Sequence, residues 1–147
     1  MKLIVQILLL FLLIGCSSPM EKNKLLLNAL NNSQIKIRGT LIEISQNEYR
    51  LDYYDVSEED SHYNFLSSNG YQGGGPSWLG IIYGAIQLSD PTILTKIRFD
   101  DEADGLAIWS SDKETLLKIG RLISVIKSDE STLKQAIRMA EQEGEME

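Results

Sequence analysis

The period of the apolar residues changes several times along the chain, and each change marks an element. Residues 3–14 are apolar apart from Gln6. That run is too short to span a bilayer, which takes roughly 20 residues, and it reads as the apolar core of a signal peptide covering residues 1–15. Residues 17–33, SSPMEKNKLLLNALNNS, begin as a polar tether, with a helical turn or two over residues 24–30 packing on the domain that follows. From Ile35 the period becomes two: Ile35, Ile37, Leu41 and Glu43 alternate with Ile42 and Ile44. Gln46-Asn47-Glu48 supplies a turn and residues 49–53 resume the alternation, which predicts a β-hairpin ending at Val56.

SEEDSH, residues 57–62, reads as a polar loop, and residues 69–75 as a glycine-rich loop. Pro76 suits the first position of a helix. Trp78, Leu79, Ile82, Ala85 and Ile86 then recur at helical spacing until Asp90-Pro91 stops the run. Residues 93–99 read as a strand, 100–105 as a turn and 106–109 as a second strand. Ser111-x-x-Glu114 has the form of a capping box and predicts a buried helix through Ile126. Asp129 opens a last helix bearing Leu133, Ala136, Ile137 and Ala140, before an acidic tail expected to be disordered over residues 144–147. The order β-β-α-β-β-α-α predicts an α+β domain over residues 34–143: an antiparallel sheet of about four strands with helices packed on one face.

Charge narrows the function. The sequence holds 14 basic and 21 acidic side chains, a formal −7. Loss of residues 1–15 would remove one Lys and no acid, leaving a formal −8. Such a surface disfavours nucleic acid and suits a basic protein partner. Leu13-Ile14-Gly15-Cys16 resembles the lipobox of bacterial lipoproteins, which implies acylation of Cys16, the sole cysteine, and cleavage before it. An anchor of two chains or more holds a protein stably on a membrane. Residues 16–33 would then be a lipidated tether in the cell envelope. Ser17 and Ser18 favour an outer membrane, facing the periplasm, if the cell has two membranes.

FDDEADG, residues 99–105, crowds four acids into five positions: Asp100, Asp101, Glu102 and Asp104. As a calcium loop it fails at position 12, where Ser111 stands in place of a bidentate Glu. His62 is the only soft ligand left for zinc once Cys16 is lipidated. Catalysis needs two carboxylates in contrasting environments, and a solvated turn does not provide that. No cofactor, metal or enzymatic activity is expected. The glycine-rich loop lacks the G-K-[ST] ending of a phosphate loop, so its glycines read as backbone freedom before Trp78. His62 reads as a solvated loop residue and Trp109 as core.

Gly70-Tyr71-x-Gly73-x-Gly75-x-x-Trp78, followed by Phe99-Asp100-x-Glu102-Ala103, resembles the immunity protein 51 family of bacterial polymorphic toxin systems. The resemblance covers about residues 40–127. Asp101 departs from it, standing where Pro is common, as does Pro76-Ser77 in place of a more polar pair. It implies a non-catalytic antidote that binds and neutralises a cognate toxin. Charge and exposure then nominate Asp100, Asp101, Glu102, Asp104, Glu58, Glu59, Asp60 and Tyr71 for partner binding. Tyr53, Tyr54 and Tyr63 are further candidate anchors, while Gly70, Gly73, Gly75, Trp78 and Phe99 shape the motif. The alternative is an envelope lipoprotein binding another basic protein, as a lysozyme inhibitor or assembly scaffold.

Overall fold

In a computed structural model the protein is described over residues 21–55 and 61–147. Helix α1, Lys24–Asn31, precedes the hairpin β1, Thr40–Ser45, and β2, Glu48–Tyr53. Helices α2, Ser61–Ser68, and α3, Gly75–Gln87, lead through a 3-10 turn, Pro91–Lys96, to β3, Arg98–Glu102, and β4, Gly105–Ser110. Helices α4, Lys113–Ser128, and α5, Glu130–Glu143, complete the chain. The sheet is antiparallel throughout, in the order β1-β2-β4-β3, so the chain is α+β as expected.

Alternation along the two central strands sorts the faces. Leu51 and Tyr53 on β2, with Leu106 and Ile108 on β4, are buried beneath α3 and α4. The buried stripes are Trp78, Ile81, Ile82, Ala85 and Ile86 on α3 and Leu116, Ile119, Leu122, Ile123 and Ile126 on α4. Helix α5 packs along α3 through Leu133, Ala136, Ile137 and Ala140. The intervening residues of the sheet face away from the helices: Arg50 and Asp52 on β2, Ala107 and Trp109 on β4, Arg98, Asp100 and Glu102 on β3. No helix among the described residues is long and apolar enough to cross a membrane.

Several local expectations are corrected. The helical turns expected over residues 24–30 do form, as α1, which buries Leu26, Ala29 and Leu30 and packs on α4. Its cap is Asn23, whose side-chain oxygen accepts from Leu26 N–H at 3.0 Å. The hairpin starts at Thr40 rather than Ile35, because Arg38 N–H is drawn to Gly120 O at 3.0 Å. Residues 93–99, read as a strand, are extended only from Arg98, because residues 91–96 coil into the 3-10 turn; Asp90 caps it by accepting from Thr92 N–H at 3.1 Å. Helix α4 is capped by Asp112 rather than Ser111, with Glu114 N–H donating to its carboxylate at 3.1 Å. Thr115 also donates to Asp112 and holds that carboxyl below the ordinary carboxylate range. Helix α2 replaces the loop expected at His62 and buries that side chain.

The 144–147 tail is not loose. Gly144, at φ +74°, reverses the chain, and Glu147 returns to accept from Gln72 N–H at 2.7 Å and from the Ser77 hydroxyl. Hydrogen bonds to a carboxylate are stronger than neutral ones, so the acid that argued for disorder supplies the contact.

Candidate partner-binding site

The two sequence motifs, some 25 residues apart along the chain, touch in the fold. Gly75 N–H donates to Ala103 O at 3.3 Å, which fixes the glycine-rich loop against the β3–β4 turn. A Cβ on Gly74 would lie 2.3 Å from Ala103 O, and one on Gly75 would lie 2.0 Å from Glu102 O. Glycine is therefore required where the loop backbone meets the turn. Pro76 follows inside the first turn of α3, and Trp78 is locked edge-to-face on Tyr53 at 5.2 Å. Gly70 and Gly73 take φ +88° and +80° to turn the loop.

The acidic run itself is a strand end rather than a turn, a further correction. Residues 98–102 pair with 105–109, leaving only Ala103-Asp104 as the turn. The pleat then divides the acids. Asp100 and Glu102 face away from the helices and Asp101 faces the other way, with Asp104 at the tip; all four are exposed. Phe99, just before them, packs on the core opposite Ile108. Among the described residues no group of three His, Cys, Asp or Glu is placed to hold a metal ion.

Tyr71 leaves the glycine-rich loop on its other side. Its hydroxyl donates to Glu141 on α5, which pushes the phenol up to about 12. Glu141 and the docked Glu147 thus join the four hairpin acids around one end of α3. Tyr53 is wholly buried, so it is core and not a surface anchor, whereas Tyr54 is 61% exposed with its ring against Gly105. Cys16, Glu58, Glu59 and Asp60 lie outside the described residues.

A cluster on the open face of the sheet was not foreseen. Trp109, expected in the core, is half-buried there between Arg50 and Arg98, whose guanidinium carbons lie 5.2 and 5.1 Å from its ring. Arg50 Nη2 donates to Asp52 Oδ2 at 2.9 Å, and Nε approaches Oδ1 at 2.6 Å as a close ionic contact. The Asp52 hydrogen bond raises the guanidinium above even its ordinary value, so Arg50 stays charged. A signal was available in the sequence. If Leu106 and Ile108 face the core, pleating sends Trp109 to the opposite face.

The model of the immunity protein 51 family matches residues 41–142. The chain belongs to the immunity protein 51 family. No curated protein and no solved structure matches it. The matched span of this immunity protein runs from β1 into α5, so it takes in the glycine-rich loop, the acidic hairpin and the open sheet face together.

Proposed function

We propose that this immunity protein neutralises a cognate polymorphic toxin by binding it, without making or breaking bonds of its own. A lipid on Cys16 holds it in the cell envelope, at the outer membrane where there are two. Family membership supports the toxin as partner. The observation that carries the reading is the cluster of exposed carboxylates, Asp100, Asp101, Glu102 and Asp104, on a hairpin whose backbone is fixed by the glycine-rich loop. Fixed, solvated charge of one sign raises the encounter rate with an oppositely charged partner and selects it. The toxin domain is accordingly basic.

The test is co-purification of the mature protein with the toxin encoded beside it, together with survival of cells that express both. Survival lost on deletion of the immunity gene, and a stable complex in solution, are the expected results. Capture of a lysozyme with no protection against the toxin would favour the lysozyme-inhibitor reading and defeat this one. Palmitate labelling of the wild type that disappears in Cys16→Ser checks the anchor separately.

A further inference from the structure

We infer that the open face of the sheet anchors the toxin: Trp109 and Tyr54 pack on an apolar patch of it, while Asp100 and Glu102 receive one of its cationic side chains. This rests on the toxin-binding reading and adds the surface that supplies the affinity.

Three observations carry it. First, α3 and α4 cover only the other face of the sheet, and no described element covers the face that bears Trp109. Trp, Tyr and Arg are the residue types that most often dominate binding energy, and Arg50, Tyr54, Arg98 and Trp109 gather here. Second, the cluster is preorganised. Trp109 stands on a central strand with a guanidinium on either side, and Asp52, itself buried, fixes one of the two. Side chains held in place before contact lose little freedom on binding. The Trp109 indole N–H is buried and has no acceptor among the described residues.

Third, the charges specify the occupant. The cations of the face, Arg50 and Arg98, stand among the carboxylates Asp52, Asp100 and Glu102, so acid is in excess even after Arg50 is matched by Asp52. Asp100 and Glu102 border a cleft of about 90 Å³ that Tyr54, Trp109 and Arg50 also line, the last with its charge matched by Asp52. A drug-sized ligand needs a pocket of roughly 300 Å³ or more. The cleft suits the head of one Lys or Arg, held by two carboxylates beside aromatic rings. The exposed hairpin tip steers the encounter, and the neighbouring sheet face retains the toxin.

The experiment measures association and dissociation of the mature chain, carrying Cys16→Ser, with the toxin domain encoded beside it, made inactive by substitution. Trp109→Ala should weaken binding at least tenfold, mainly through faster dissociation, and Trp109→Phe should recover most of the loss. Asp100→Asn with Glu102→Gln should weaken it severalfold, and Arg138→Ala, exposed on α5, should leave it unchanged. In the wild type, the Trp109 indole N–H resonance should shift as toxin is added. That resonance and a Tyr54→Ser variant decide the matter if Trp109→Ala does not fold. Affinities within twofold of wild type for Trp109→Ala and Tyr54→Ser, or an indole resonance unmoved at saturation, would overturn the assignment while the toxin-binding reading stood. Failure of the wild type to bind the toxin would overturn both.

Discussion

A methyl group at residue 75 would meet two backbone carbonyl oxygens, that of Glu102 at 2.0 Å and that of Gly105 at 2.2 Å. Neither belongs to a side chain that can swing aside, so loop and hairpin must part. Gly75→Ala is expected to cost on the order of 2–4 kcal/mol, the scale of a severe overpacking change. Gly70 makes the control: its φ is +88° but nothing lies within 4 Å, so Ala there meets only backbone strain of about 1–2 kcal/mol. Urea midpoints that rank Gly75→Ala well below Gly70→Ala would support the contact between the two motifs, and equal midpoints would remove it. Tyr71 gives a pH test. Its folded pKa, about 12, lies above its ordinary value of 10.0 because the neutral phenol donates to Glu141. That contribution is complete below pH 10 and fades as pH rises toward 12. Tyr71→Phe should flatten stability across that interval. At this scale the chain could be read by residue type: the acids and glycines announced themselves. Arg50, Trp109 and Arg98 did not, because strand pairing alone brings residue 50 beside residue 109.

Among elements, strong periodicity was the reliable guide. The hairpin, α3, α4 and α5 each carry a stripe that only one period fits, and each formed, the hairpin from Thr40 rather than Ile35 and α4 with its cap one residue later than read. Errors fell where local chemistry overruled apparent pattern. Asp90 and Pro91 impose a 3-10 turn on a β-branched run, and the acidic sequence stays extended because β4 supplies it a partner. Helix α1 shows the same limit from the other side. Lys24–Asn31 is short for an isolated helix in water, and its stability comes from burying Leu26, Ala29 and Leu30 against α4. Leu26→Ala is therefore expected to destabilise the whole fold by about 2–5 kcal/mol, the usual range for a buried leucine. A thermal or urea transition that remains single but shifts down would mark α1 as part of the cooperative unit. No shift would return the segment to the tether.

Over the whole molecule, α3 works as a strut with different chemistry at its ends. At its start lie the hairpin acids, with Glu141 and the docked Glu147 across the glycine-rich loop. At its close, Lys22 donates to Gln87 O at 2.7 Å and Asn23 N–H donates to Leu88 O at 3.0 Å, so the chain enters there. Thirteen residues of helix separate the two regions by about 20 Å, roughly two Debye lengths at physiological salt. An anchor on Cys16 would thus tether the end remote from the acids and leave the acidic end free to meet a partner. Replacing Asp100, Asp101 and Asp104 by Asn with Glu102 by Gln should slow toxin association roughly tenfold or more at low salt and flatten its dependence on ionic strength. Ending the chain at Gly144 should add a smaller decrease, because Glu147 is already engaged by Gln72 and Ser77. Dissociation should change far less in the Asp101 and Asp104 single variants than in the Trp109 variant, since charges in water steer without anchoring. An association rate indifferent to all four neutralisations at low salt would detach the acidic hairpin from recognition and leave the sheet face to act alone.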